Sequence, residues 1–185
     1  MDTKQSKWRI AKETFPSESI SIIGSIFAGL ILSLLILQFK SFSVLILMVP
    51  ALLSLRGNIS SPFIARTARD LIIGDFNLKS WLQNVFASYS LSIVTAIFIG
   101  LFSILFRLIF LLPLILPLFK FILIPVISLT LTLSITVPTS TLLNYIVFKF
   151  GLNPNNVVNP VMSAVGDFSN IVMFYLTLKV LLGNQ

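Results

Sequence analysis

The sequence predicts an all-α membrane protein with five transmembrane helices in each protomer, the N-terminus inside the cell and the C-terminus outside. Composition is the first reason, because the 185 residues are 56% hydrophobic and 10% charged, with a mean hydropathy of +1.01. Soluble chains carry about 25% charged residues, and one core of this size could not bury so much apolar surface. The second reason is a series of five apolar segments, each near or above the length of about 20 residues that crosses a bilayer.

The distribution of positive charge is the third reason for this prediction, and it also indicates how the chain is oriented in the membrane. With the N-terminal tail inside, seven lysines and arginines lie on the inner side and four on the outer side. Cytoplasmic loops of membrane proteins are enriched in these residues. The inner set is Lys4, Lys7, Arg9, Lys12, Arg69, Lys79 and Lys149, and the outer set is Lys40, Arg107, Lys120 and Lys179. We therefore expect a multi-pass protein of the plasma or inner membrane.

The segments define a polar cytoplasmic tail at residues 1–19 and a transmembrane domain at residues 20–185. No Ala-x-Ala cleavage site follows the first apolar run, so we expect that run to be retained as a span. Ser17 is the expected cap of the first helix, and Asn159 with Pro160 is the expected start of the last. The predicted spans cover residues 20–38, 42–73, 81–111, 119–148 and 159–182.

The residue types exclude several kinds of chemistry. Cysteine and histidine are absent, which removes disulfides, thiolate sites and the commonest general base. A bound metal ion must therefore be held by oxygen, which favours Mg²⁺, Ca²⁺ or Mn²⁺ over zinc or copper. The net charge of +7 is scattered along the chain. Lys and Arg at membrane edges explain it more simply than a nucleic-acid surface does, so we expect no nucleic-acid partner.

Asp167 is the one acidic residue within an otherwise neutral span. A carboxylate there costs about 2.5–3.5 kcal/mol on insertion scales, so it indicates a functional site. Asn159, Ser163 and Asp167 are four residues apart and share one helical face. The adjacent Gly166 would let another backbone approach closely. A column of oxygen donors that leads to a carboxylate is suited to a hard cation.

Two simpler interpretations of these residues stay open. Asp167 could form a buried ion pair with Arg56 or Arg66 that only holds helices together, since intramembrane charges commonly pair. Asn159 could be no more than a helix cap.

The second apolar segment carries a further group of unusual residues. Pro50, Gly57 and Pro62 predict an irregular or kinked helix, and irregular backbone at membrane depth is tolerated where it lines a cavity. The run Arg56-Gly57-Asn58 therefore suggests a pore-lining break. The alternative is a plain helix end with a solvated Arg56.

Two motifs, about 100 residues apart, resemble membrane helices of the MgtE magnesium transporter family. The first is Val49-Pro50-Ala51-Leu52-Leu53-Ser54-Leu55-Arg56-Gly57-Asn58 with Ile64-Ala65-Arg66-Thr67-Ala68, which is similar to the family's second helix. The second is Leu152-Asn153-Pro154-Asn155-Asn156-Val157 with Pro160 and Ser163-Ala164-Val165-Gly166-Asp167, which is similar to its last. The likeness is strongest to the animal solute-carrier homologues of MgtE.

The resemblance implies an MgtE-like five-helix domain that works as a homodimer, with an ion path on the two-fold axis between the second and fifth helices. Asp167 would receive the hydrated ion. The implied metal-binding set is Asp167, Asn58, Ser163 and Asn159; the implied pore-lining set is Gly57, Ser60, Ser61 and Gly166. Arg56 and Arg66 are expected to be structural or charge-balancing.

This chain also departs from the family. It reads Ile59-Ser60-Ser61-Pro62 where bacterial members have a denser Gly-Asn-Gln pattern, so its site is poorer in amides and charge. Residues 1–19 are too few for the Mg²⁺-sensing regulatory domains of bacterial members, so we expect gating that is different or absent.

The sequence thus predicts a divalent cation transporter or channel. We expect Mg²⁺ to be the transported ion, with Mn²⁺, Co²⁺ or Ca²⁺ as the alternatives. We do not expect an enzyme. One alternative is a membrane-embedded enzyme that acts on lipid, for which Asp70 and Asp75 are the close acidic pair outside the N-terminal tail. The other is an accessory subunit of a larger transporter.

Overall fold

The structure is a computed structural model that describes residues 7–34, 44–112 and 116–183. These residues form five α-helices: α1 (Lys7–Leu34), α2 (Val44–Ile73), α3 (Leu78–Ile109), α4 (Leu118–Lys149) and α5 (Pro154–Leu182). The all-α class is confirmed. The bounds of α3 and α4 agree with the predicted spans to within three residues.

Four of these helices, α1, α3, α4 and α5, are long and apolar enough to cross a membrane. This finding supports a multi-pass membrane protein. The other helix, α2, has 30 residues, or roughly 45 Å at 1.5 Å per residue, but it carries several charged side chains. A membrane crossing by α2, and the orientation of the termini, stay predictions.

Helix α1 begins earlier than the sequence suggested. Within the described residues it is helical from Lys7, and Ser17 is not a cap: its hydroxyl donates to the Glu13 carbonyl at 2.8 Å. The reason is a tertiary contact, because the buried Glu13 carboxylate accepts hydrogen bonds from Asn153 N and Asn156 Nδ2, at 3.3 and 2.9 Å. The first turns of α1 are therefore docked on the start of α5. The predicted end of this span, Gln38, lies outside the described residues.

Helix α2 is uninterrupted from Val44 to Ile73, with Pro50 and Pro62 inside it. The predicted break at Arg56-Gly57-Asn58 is therefore wrong, and so is the alternative of a helix end there. A proline removes one backbone donor, while the neighbouring residues keep theirs. Close packing of α2 against α3, α4 and α5 then keeps the helix intact.

Helix α5 starts at Pro154, not at Asn159. Asn153 is the cap, and its side-chain oxygen accepts a hydrogen bond from Asn155 N at 3.0 Å. Asn153-Pro154 satisfies the same rule that pointed to Asn159-Pro160, namely a polar cap followed by proline at the first helical position. Asn159 thus lies inside the helix, and the interpretation of Asn159 as a cap is wrong.

Helix α5 is the centre of the packing. In the described parts of the chain α1 packs only against α5, whereas α2 packs against α3, α4 and α5. The main apolar core joins α2, α4 and α5 through buried side chains that include Leu45, Met48, Leu52, Phe121, Ile124, Leu129, Ile171, Phe174 and Leu178. Helices α2 and α5 are therefore held together rigidly, and the charged residues that they carry lie within this frame.

Helix α3 meets α4 through a stripe of small side chains, which we call the small-residue stripe: Ser88, Ser92, Ala96, Gly100 and Ser103. All are buried and three or four residues apart, so they share one helical face. A Cβ at Gly100 would lie 2.6 Å from the Phe121 carbonyl oxygen. Small residues allow such close approach of helices in membranes.

Candidate cation site

An ion pair joins α2 to α5. Arg56 Nη2 lies 2.5 Å from Asp167 Oδ1, with 6% of the arginine side chain and 26% of the aspartate side chain exposed. The structure therefore shows the pairing with Arg56 that the sequence left open as an alternative. Arg66, the other arginine considered, has no ion pair with Asp167 among the described residues.

Both charges lie near the middle of their helices. Arg56 is about 18 Å along α2 from Val44, and Asp167 is about 20 Å along α5 from Pro154, at 1.5 Å per residue. The two helices have 30 and 29 residues. The pair is therefore far from either end of the bundle. Unpaired charges in the middle of membrane helices are costly.

The Arg56 guanidinium lies directly on Gly166. A Cβ added there would overlap Nη1 and would lie 2.7 Å from Cζ and 2.8 Å from Cδ. The sequence predicted that Gly166 lets a backbone approach closely, whereas in this structure the close neighbour is the Arg56 side chain. Gly166 thus faces the guanidinium rather than open space.

Most of the guanidinium donors lack a close partner. Nη1 donates to the Met162 carbonyl oxygen at 3.4 Å, a long hydrogen bond, and the buried Nε has no partner among the described residues. A guanidinium carries five N–H donors. The short contact with Asp167 is therefore its main attachment.

On α5, the predicted column of Asn159, Ser163 and Asp167 is present. All three residues are half-buried, and the Ser163 hydroxyl donates to the Asn159 carbonyl at 3.0 Å. Arg56 uses only Oδ1 of the carboxylate, and no described residue donates to Oδ2. The second carboxylate oxygen is therefore available to a ligand.

On α2, Asn58 is exposed, and Gly57 and Ser61 are half-buried. A Cβ at Gly57 would meet no atom within 4 Å. Gly57 and Asn58 therefore face space that the described part of the chain leaves open.

Ser60 lies on a different side of α2. It is buried, and it lines a narrow space with Ser88 of α3 and Thr136 of α4 that leaves no room for a water molecule. The Ser60 and Thr136 hydroxyl oxygens have no partner among the described atoms. This position differs from the pore-lining one that the resemblance implied, because Ser60 is two residues, or about 200° of helical rotation, from Asn58.

The sequence analysis missed a polar stripe on α4. Its members, all buried, are Ser128, Thr132, Thr136, Ser140 and Asn144. Asn144 Nδ2 donates to the Ile64 carbonyl at 3.3 Å, and Thr132 Oγ1 to Asn170 Oδ1 at 3.4 Å. The four-residue spacing was a signal that could have revealed it. These contacts tie α4 to α2 and α5.

The donors at this site fit a hydrated hard ion better than a tightly caged one. In the described ranges, no group of three or more acidic side chains could hold a metal ion. On α5, Asp167 offers one carboxylate, and Asn159 and Ser163 offer neutral oxygens. Asn58 of α2 is about 200° of helical rotation from Arg56, which contacts Asp167, so the structure does not bring Asn58 to this carboxylate within one copy of the chain. Mg²⁺ keeps several waters and binds through one or two carboxylates, which matches this set.

Apolar helices long enough to span a membrane, with a charged pair midway along two of the helices, are typical of a multi-pass membrane protein with a functional site between its helices. A comparison with models of protein families identifies the family. The model of the MgtE family, described as a divalent cation transporter, matches residues 49–177. The chain therefore belongs to the MgtE family of divalent cation transporters, which confirms the resemblance seen in the sequence.

Membership supports divalent cations as the transported ions and, coarsely, a protein that is not an enzyme. A comparison with curated proteins finds no match.

Proposed function

We propose that this protein carries divalent cations, Mg²⁺ foremost, across the plasma or inner membrane through a path between two copies of the chain. Helices α2 and α5 of each copy line the path, and Asp167 attracts the hydrated ion. The observation that carries the proposal is Asp167 itself: a partly exposed carboxylate at mid-height, with Asn159 and Ser163 on the same helical face. Divalent cation transport by the family supports it.

The open side of α2 supports a path at a dimer interface. Ser54 and Asn58 are exposed there, and Gly57 borders open space. Polar groups that face hydrocarbon are costly, because lipid offers them no hydrogen bonds. A second copy of the chain would cover this side and leave a wet passage between the two copies.

The chemistry of the donors favours Mg²⁺. Two copies would supply two Asp167 carboxylates and a set of amide and hydroxyl oxygens, enough to hold an ion that retains most of its waters. Mn²⁺, Co²⁺ and Ca²⁺ are also bound by oxygen ligands, so they are the competing ions to test.

The membrane potential, negative inside the cell, would drive a divalent cation inward whichever way the chain is inserted. Moving two charges across 100 mV contributes about 4.6 kcal/mol. A coupled Na⁺ or H⁺ gradient is the alternative source of energy.

The test is Mg²⁺ flux through the purified protein in liposomes. We expect the wild-type chain alone to transport Mg²⁺, which would also argue against an accessory subunit. Asp167→Asn should lower the flux at least about tenfold, because it removes the charge that attracts the ion. Asp75→Asn is the matched control, since Asp75 is an exposed acid in the loop between α2 and α3.

Asp167→Asn leaves Arg56 without its charged partner and could unfold the protein. The double variant Arg56→Gln/Asp167→Asn removes both charges and keeps the balance. Wild-type flux in a folded Asp167→Asn or double variant would refute the role of Asp167. Lipid turnover without ion flux would favour the enzymatic alternative.

A further inference from the structure

We infer that Arg56 is a built-in competitor for the cation: its guanidinium occupies Asp167 when no divalent ion is bound, and the ion must displace it. This inference rests on the proposed function and adds a determinant of affinity and selectivity to it. Arg56 then does more than join two helices, because its competition sets the concentration of divalent ion at which Asp167 becomes occupied.

The first support is the way in which Arg56 is held. Its short contact is with Asp167 Oδ1, its contact with the Met162 carbonyl is long, and its Nε is buried without a partner among the described residues. An arginine that only joins two helices would be expected to satisfy more of its five donors. A guanidinium attached mainly through one carboxylate can be released when another cation takes that carboxylate.

The second support is the place that the guanidinium occupies. It fills the volume in which residue 166 would have a Cβ, so a side chain at position 166 would force the guanidinium to shift. Gly57, only one residue from Arg56, borders open space. The arginine therefore has a fitted position beside Asp167 and Gly166, while the open space at Gly57 lies about 100° further around α2.

The third support is the charge balance. The ion pair is neutral, so the carboxylate attracts a passing cation weakly while Arg56 stays in place. A divalent ion gains twice the attraction of a monovalent ion at the same distance. Competition with a tethered guanidinium therefore disfavours Na⁺ and K⁺ more than Mg²⁺.

The test compares Arg56→Gln with Gly166→Ala. Arg56→Gln removes the competing charge, while Gly166→Ala keeps both charges but blocks the position of the guanidinium. We expect both to lower the Mg²⁺ concentration for half-maximal flux about tenfold, equivalent to 1.4 kcal/mol, and to admit more Na⁺. Arg107→Gln is the matched control, because Arg107 is also half-buried with an unpartnered Nε, and it should not change the half-maximal concentration.

A second readout separates competition from a structural role. Mg²⁺ should raise the thermal unfolding temperature of both variants in detergent at lower concentrations than it does for the wild type, because tighter binding stabilises more. If Arg56 only joins the two helices, the variants should be less stable than the wild type, and Mg²⁺ should raise their unfolding temperatures no more effectively than it does for the wild type. If Arg56→Gln does not fold, the same two measurements on Gly166→Ala decide between competition and a purely structural role.

Unchanged or higher half-maximal Mg²⁺ in the folded variants would overturn the inference. In that case Asp167-dependent flux in the wild type would leave the proposed function intact. Absence of Mg²⁺ flux in the wild type would instead refute the proposed function.

Discussion

At the scale of single residues, the two members of the Arg56–Asp167 pair differ in burial. The arginine side chain is almost fully enclosed, whereas a quarter of the aspartate side chain is exposed. Removing one partner of a buried pair strands the other charge, and the penalty depends on how deeply that charge is buried. The two single substitutions should therefore have unequal effects.

We expect Asp167→Leu to lower the free energy of unfolding by about 3 kcal/mol, because it leaves Arg56 buried and unpaired. Arg56→Leu should cost less, since the remaining carboxylate is partly exposed. The double variant Arg56→Leu/Asp167→Leu should recover most of the loss. Thermal unfolding in detergent measures all three, and a double variant less stable than Asp167→Leu would contradict the explanation.

The sequence identified Asp167, the column of Asn159 and Ser163 on its face, and Arg56 as one of two possible partners. It could not choose between Arg56 and Arg66, because that choice depends on the rotation of α2 against α5. The resemblance implied that Ser60 lines the pore, whereas the structure buries Ser60 against α3 and α4. A helix turns about 100° per residue, so Ser60 and Asn58 are directed to different sides of α2.

At the scale of helices, the apolar runs predicted the middle of every element and the class of the fold. The starts of α1 and α5 were both missed. For α5, Asn153-Pro154 and Asn159-Pro160 satisfy the same capping rule, so the local sequence offered two candidates. For α1, the cause is a tertiary contact. Glu13 of α1 accepts hydrogen bonds at the first turn of α5, whose start is capped by Asn153. This contact joins residues 140 positions apart, so no local pattern could show it.

The Glu13 contact has a measurable consequence. Glu13→Ala should lower the free energy of unfolding by about 1–3 kcal/mol, because it removes the hydrogen bonds that the buried carboxylate accepts from Asn153 N and Asn156 Nδ2 at the start of α5. It should also speed proteolytic cleavage near the N-terminus. Glu18→Ala is the control, since Glu18 is exposed on the same helix. Equal stability of the two variants would show that the contact does not hold α1.

At the scale of the whole molecule, the proposed path requires two copies to meet at the open side of α2. The chain contains no cysteine, so single cysteines can report on this meeting without background. Gly57 and Gly29 form a matched pair, because a Cβ at either position meets no atom within 4 Å.

We expect Gly57→Cys to form a disulfide between two copies on oxidation in membranes, seen as a band of doubled mass in a non-reducing gel. Gly29→Cys, on α1, should stay largely monomeric. Crosslinking at Gly29 alone would place the contact between copies on α1 and would contradict an interface at α2.

The small-residue stripe of α3 has a consequence for where an ion can pass. Since α3 lies so close to α4, its bulky residues are left on the outside: Phe86, Phe98, Phe102 and Phe106 are all exposed. The outer face of α3 is thus lined with aromatic rings, and the helix approaches α4 closely at Gly100. Aromatic rings offer a hydrated ion few oxygen ligands, so we expect the proposed path to run along α5, which carries Asp167, and not along the outer face of α3.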